Sequence, residues 1–169
     1  MSDSMTVTSV TKNSQSLTFT QNTNKELVIN FPTAIATGTS TTVVISYAGP
    51  PESNGFGSFT TTTHNGTPVL WTLSEPFGAR EWWPCKQDLN DKIDSIDVYL
   101  TTPSQYTSVT NGLQMGIVDN GNGTKTTHFH HGYPIPAYLI VLNVTNYEVY
   151  NQQGGLGTAA SPYFPIIKT

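Results

Sequence analysis

WTLSEPFGAREWWPCKQD, residues 71–88, gathers the bulkiest side chains of this sequence into one short stretch. All 3 tryptophans and the single cysteine fall inside it, as Trp71, Trp82, Trp83 and Cys85. An acid, Glu75, and a base, Arg80, stand five residues apart. The rest of the chain is dominated by Thr, Ser, Asn and Gly. One aromatic side chain covers ~150–250 Å², so the segment marks a place where packing is concentrated. On composition, Trp71, Trp82 and Trp83 are open to three uses: core, docking face or ligand platform.

Outward from this segment the hydrophobic pattern has period two. In ELVINF, residues 26–31, Leu27, Ile29 and Phe31 alternate with Val28 and Asn30. TTVVISY sets Val43, Ile45 and Tyr47 inward, and DSIDVYL sets Ile96, Val98 and Leu100 against Asp97 and Tyr99. Successive strand side chains point to opposite faces, so each run predicts a strand with one buried face. AYLIVLNV, residues 137–144, is apolar nearly throughout and predicts a strand buried on both faces. Turn signals separate the runs: Lys12-Asn13, Gly49-Pro50-Pro51, Ser53-Asn54-Gly55, His64-Asn65-Gly66, Asn111-Gly112 and Asp119 to Gly123. Asn-Gly pairs supply the positive φ of tight hairpin turns. Strands at roughly 8–12-residue spacing predict an all-β fold, an antiparallel sandwich or saddle-shaped sheet pair. At most one short helical turn is expected, between Lys86 and Ile96. The chain reads as a single β domain, residues 1–169, with a flexible C-terminal tail from about 151. A last edge strand is expected over 161–167, where Pro162 and Pro165 argue against a central position.

Composition narrows the function. Only 11% of residues are charged, against ~25% in an average protein, and the net charge is -4. The 7 Lys and Arg are scattered, which argues against nucleic acid as a partner. No apolar run approaches the ~18 residues of a membrane span. The opening MSDSMTVTSV lacks the basic start and apolar centre of a signal peptide. Low charge and abundant Thr, Ser and Asn nevertheless resemble exported bacterial proteins, so a periplasmic or extracellular location is the expectation. The lone Cys85 excludes an internal disulfide and a multi-cysteine zinc site.

Four groups can carry chemistry. Glu75 is either a solvated loop acid or, at the mouth of a cleft, a partner for an α-ammonium through a charge-assisted hydrogen bond. Arg80 can bind a carboxylate, but a structural role, pairing with Glu81, Asp88 or Asp91 or capping carbonyls, is preferred. Lys86 beside Cys85 would lower a thiol pKa, yet no histidine lies near it in sequence, so no nucleophile is assigned. His128, His130 and His131 form a metal-like run; on a strand His128 and His130 share a face. Without a Cys or an acid in the run, an exposed strand edge is expected and no metal ligand is assigned.

SEPFGAREWWPCKQD, residues 74–88, resembles a stretch in the N-terminal domain of the aminopeptidase N family of zinc metallopeptidases, the gluzincin type. Members carry a Glu or Gln, an Ala-Arg about five residues on, an aromatic pair, Pro-Cys, and an Asp. Here those positions are Glu75, Ala79-Arg80, Trp82-Trp83, Pro84-Cys85 and Asp88, with one extra residue between Cys85 and Asp88. The resemblance covers about residues 5–150 and is strongest over 55–112. The flanks Gly55 to Phe59, Thr67 to Thr72, Asp94 to Pro103 and Tyr133 to Ile140 resemble neighbouring strands. The family's HExxH zinc helix and its Gly-x-Met-Glu-Asn loop are absent from these 169 residues.

The resemblance implies a partial, non-catalytic N-terminal domain of a zinc aminopeptidase. Its partners would be its own downstream catalytic domain and the free N-terminus of a peptide substrate. Glu75 would recognise that N-terminus. Arg80, Trp82, Trp83, Pro84, Cys85 and Asp88 would form the structural motif, with Cys85 a packing residue. Catalytic residues and cofactor are expected to be none in this fragment, with zinc held in the parent's catalytic domain. The alternative is a stand-alone secreted β-sandwich binding module, for carbohydrate or adhesion, using the tryptophans as a stacking surface.

Overall fold

The computed structural model describes residues 1–53, 57–152 and 164–168. Two compact units are present. The first comprises Met1–Thr60, Leu73–Lys92 and Pro136–Ile140; the second comprises Thr61–Thr72, Ile93–Ile135 and Val141–Thr169.

The first unit holds β1 (Thr6–Lys12), β2 (Gln15–Ser16), β3 (Thr18–Gln21), β4 (Leu27–Asn30) and β5 (Val44–Ala48). The β1–β2 turn places Asn13 and Ser14 at φ 50° and 63°. β2 runs on into β3 through Leu17, whose N–H donates to Val10 O at 2.8 Å. β1 pairs antiparallel with β2 and β5, and β3 pairs antiparallel with β4. Where β1 and β3 diverge, the Gln21 side chain joins them, accepting from Val7 N (2.9 Å) and donating to Met5 O (2.8 Å). Met1, Met5, Val7 and Val10 form the buried centre, with Leu17, Phe19, Leu27, Ile29, Ile45 and Tyr47 packed against it. These include the inward residues that alternation selects. Each fully buried aliphatic side chain contributes ~1.5–3 kcal/mol.

The second unit holds β6 (Thr60–His64), β7 (Thr67–Trp71), β8 (Ile96–Pro103), β9 (Thr107–Thr110), β10 (Leu113–Asp119), β11 (Thr124–His131), β12 (Leu142–Thr145), β13 (Glu148–Gln152) and β14 (Phe164–Lys168). They form three sheets, ordered β6-β7-β12-β9, β10-β11-β8 and β13-β14. Asn65 and Gly66 close the β6–β7 hairpin at φ 48° and 80°. Threonine does much of the interior work here. Thr110 Oγ1 donates to Val141 O (2.5 Å), Thr145 Oγ1 donates to Pro68 O (2.8 Å), and Thr72 Oγ1 accepts from Leu142 N (2.9 Å). A buried hydroxyl bonded to backbone avoids the desolvation cost of an orphan polar group, so a lean hydrophobic content can still fill an interior.

The fold is all-β and antiparallel, as the period-two pattern predicts. Three local readings are corrected. The segment 137–144 is not one buried strand. Ala137–Leu139 form a 3-10 turn, closed by Leu139 N donating to Pro136 O (3.0 Å), and the strand begins only at Leu142. Pro136, at φ −71°, caps the start of this turn just where the strand was expected to begin. Between Lys86 and Ile96, where at most one helical turn was expected, none forms. Asp88 instead accepts from Asn90 N (2.9 Å) in a local side-chain turn. A second 3-10 turn spans Ala79–Glu81. Asn111-Gly112 does not close a β9–β10 hairpin, because β9 and β10 belong to different sheets. Of the tail expected to be flexible from about 151, residues 153–163 and 169 lie outside the described residues; Asn151 and Gln152 lie in β13, which pairs with β14. Among the described residues no helix is long and apolar enough to cross a membrane.

Candidate functional site

The 74–88 segment lies in the first unit and is built on a buried serine. Ser74 is 1% exposed and its carbonyl accepts from Gly78 N at 2.7 Å, folding residues 74–78 into a tight turn. Ser74 Oγ accepts from Trp82 Nε1 at 3.0 Å, tying the turn to the tryptophan eight residues later. A side chain at position 78 would meet Ser58 Oγ at 2.2 Å, so glycine is required there. The turn raises Leu73, Glu75, Pro76 and Phe77 to the surface, with Leu73 43% and Phe77 52% exposed. The Glu75–Pro76 peptide is cis. Among the described residues the exposed Glu75 carboxylate has no hydrogen-bond or ion-pair partner. It therefore stands free, flanked along the turn by the exposed Leu73 and Phe77.

The other motif residues face inward or along the surface. Trp82 packs on Phe59 (ring centroids 6.4 Å apart) and on Trp83 (5.8 Å). Its ring and N–H are spent on packing, which weakens the stacking-surface use of this pair. Trp71 lies in β7 of the second unit, paired with Asn143. Arg80 contacts Glu81, Nε to Oε1 3.6 Å, and its carbonyl accepts from Ser2 N at 2.7 Å. Of the three acids open to it, Glu81 is the partner; Asp91 pairs with Lys86. Pro84 is half-buried and Asp88 exposed. Cys85 is half-buried, and burial pushes its thiol up to about 11 against weaker pulls from the N-terminus, Gln87 and Arg80. A thiol held so far protonated is a packing group, not a nucleophile.

Two clusters escaped the sequence. Glu81, 5% exposed at its side chain, sits with Lys25 (3.2 Å), which also pairs with Glu52 (3.1 Å). A hydrogen bond shared with Glu81 first, then those from Ser2 and Lys25, hold the Glu52 carboxyl down to about 2. In the second unit, His128 Nε2 and His130 Nδ1 both bond Asp97 Oδ1, at 2.7 and 3.1 Å. The register Asp97↔His130 brings in the acid that the histidine run lacks. His128 also stacks on Tyr99 at 4.2 Å between centroids. The pair's facing nitrogens are thus spent on one carboxylate oxygen. Among the described residues no three His, Cys, Asp or Glu are grouped to hold a metal ion. These residues do not fit a zinc site.

Comparison with known proteins places this architecture. The family model for the peptidase M1 N-terminal domain matches residues 2–139, and the chain belongs to that family. A curated relative, leucine aminopeptidase 2 of Vanderwaltozyma polyspora, is 32% identical over 120 residues, 68% of this chain and 17% of that protein. A crystal structure of an M1 zinc metallopeptidase from Deinococcus radiodurans superimposes with TM-score 0.82 at 23% identity, covering 96% of this chain and 37% of that one. A two-domain M1 zinc metallopeptidase bound to L-arginine gives TM-score 0.77 at 25% identity, over 88% of this chain and 34% of that one. The chain thus spans about a sixth of the curated relative and about a third of the solved structures.

Proposed function

We propose that this chain is the non-catalytic N-terminal domain of a zinc aminopeptidase, that it walls one side of the substrate cleft, and that Glu75 receives the free α-ammonium of a peptide. The zinc and the hydrolysis of the first peptide bond belong to the parent's catalytic domain. The observation that carries this is the free Glu75 carboxylate, raised between exposed Leu73 and Phe77 on a turn fixed by Ser74 and Trp82. An anion flanked by apolar side chains becomes partly desolvated when a peptide covers it, which strengthens an ammonium contact. An exported location is part of the same proposal, resting on the low charge; fractionation of the source cell would test it.

The experiment is kinetic, in the parent enzyme. A hydrogen bond to a charged group contributes ~1.5–3 kcal/mol, so Glu75→Ala should lower kcat/KM roughly ten- to a hundredfold on peptides with a free N-terminus. Glu75→Gln keeps an acceptor oxygen and should lose less. Cleavage of an N-acetylated peptide, already poor, should hardly change. Equal losses on free and blocked peptides would leave Glu75 as scaffold.

A further inference from the structure

Asparagine followed by glycine occurs 5 times in the chain, and 4 of these pairs lie among the described residues. Such an asparagine has a nucleophile beside it, because nothing on glycine hinders its backbone nitrogen from closing on the side-chain carbonyl carbon. Three things govern the attack: the freedom of that nitrogen, the donors on the carbonyl oxygen, and what holds the leaving amide. The sites differ in all three. Asn111 is half-buried, its Oδ1 accepts from Val141 N at 2.8 Å, and Gly112 is packed against His130 O. Asn65 closes the β6–β7 hairpin; its amide nitrogen is 3.2 Å from His64 Nε2, and no donor meets its carbonyl oxygen among the described residues. Asn120 donates its amide to Thr124 Oγ1 (2.9 Å) and Thr126 Oγ1 (3.2 Å), and the N–H of Gly121 is held by Asp119 Oδ1 at 2.9 Å.

Asn122 is the opposite case. It is exposed, in the loop between β10 and β11. Its Oδ1 accepts from both Thr124 N (3.2 Å) and Thr124 Oγ1 (2.6 Å). That hydroxyl accepts in turn from Asn120, so a chain of donors runs from Asn120 through Thr124 to the Asn122 carbonyl, each bond polarising the next. Asn122 Nδ2 and Gly123 N donate to nothing among the described residues. A Cβ built on Gly121 or Gly123 would have nothing within 4 Å, so the loop can move on both sides of Asn122.

We infer that Asn122 is a self-modification site, converted to aspartate and isoaspartate by attack of Gly123 N, with Thr124 as its oxyanion hole. Hydroxide removes the Gly123 N–H proton, the nitrogen bonds to Asn122 Cγ, and the charge passes to Oδ1, where the Thr124 N–H and O–H receive it. As the carbonyl re-forms, the Cγ–Nδ2 bond breaks; the leaving nitrogen takes a proton from water and departs as ammonia. One water then opens the cyclic imide at either carbonyl. Nothing is oxidised or reduced, and water is the only co-reactant. Both products add a negative charge to the loop that begins at Asp119, and isoaspartate also lengthens its main chain by one carbon. No step draws on the proposed aminopeptidase function.

The test follows the full-length protein at mildly alkaline pH, folded and in urea, with asparagine, aspartate and isoaspartate scored at each Asn-Gly pair by mass spectrometry. In urea the sites share one local chemistry and should react at similar rates. In the folded protein Asn122 should be the fastest and should at least match its own rate in urea. Asn111 should lag furthest, since it must first open locally. Thr124→Val keeps the branched side chain and removes the hydroxyl. It should slow Asn122 roughly tenfold in the folded protein, the effect of one hydrogen bond to a developing charge, and leave the rate in urea unchanged. A folded Asn122 slower than in urea overturns the proposal, because the Thr124 bonds would then restrain the side chain instead of activating it. So does another site reacting faster, or a Thr124→Val rate equal to that of the native chain.

Discussion

At the residue scale, Cys85 and Glu52 show how placement sets reactivity. Lys86 follows Cys85 in sequence and would lower its thiol pKa if it faced it, but Lys86 pairs with Asp91 and burial governs the thiol. With the pKa moved from 9.0 to about 11, the thiolate fraction at neutral pH falls about a hundredfold. Alkylation of the isolated chain should be slower than that of a small-molecule thiol by roughly that factor, and should keep rising with pH toward 11. A rate that levels off near pH 9 would mean that the thiol is not buried as described. Glu52 runs the other way. Its folded pKa is depressed from 4.5 to about 2, so its contribution is fully present above 4.5 and is lost as pH falls toward 2. Urea midpoints measured across that window should fall more steeply for the native chain than for Glu52→Gln. Parallel curves would show that the contacts with Glu81, Ser2 and Lys25 add nothing to stability. The motif from Glu75 to Cys85 could be read directly from the chain, because it is contiguous. The Lys25–Glu52–Glu81 cluster could not, because only tertiary folding brings residues 25, 52 and 81 together.

At the scale of elements, alternation located β4, β5 and β8 and missed how strand ends are organised. Leu27, Ile29, Ile45, Ile96, Val98 and Leu100 point as period two requires, because a half-buried strand imposes that period on its own sequence. The 137–144 run misled because apolar content does not distinguish a strand from a 3-10 turn that is followed by one. Asp97 was invisible as a partner of His128 and His130, since strand register alone joins residues more than 30 apart. That register supports a metal prediction. Zinc would have to displace Asp97 from two histidine contacts on an exposed sheet face, so calorimetric titration should show only weak binding. A tight stoichiometric site lost on His130→Ala would refute this. Glycine positions give a second test. At Gly112 (φ +91°) an added methyl group would lie only 2.1 Å from His130 O, whereas Gly121 (φ +72°) has open space around it. Both alanine substitutions strain the backbone, at ~1 kcal/mol or more. Gly112→Ala must also push β11 aside, so its urea midpoint should drop well below that of Gly121→Ala. Equal drops would indicate that the 112 turn yields freely.

At the scale of the whole chain, the family is that of the peptidase M1 N-terminal domain, and the residues present decide what the chain can do alone. Zinc peptidase chemistry needs three protein ligands and an open position at which the metal-bound water loses its proton. The sequence contains no HExxH, and among the described residues no three potential ligands are grouped. Cysteine chemistry fares no better. A thiol near 11, with no histidine in hydrogen-bond contact among the described residues, is neither ionised nor paired with a base at neutral pH. Residues 1–169 should therefore give a far-ultraviolet spectrum dominated by strand and hydrolyse no aminoacyl chromogenic substrate above a heat-killed control, even with added zinc. Joined to the parent's catalytic domain, the same residues should support turnover that Glu75→Ala weakens selectively for free N-termini. Chelator-sensitive hydrolysis by the isolated chain would overturn the non-catalytic reading. Strand content lost on isolation would leave that reading intact.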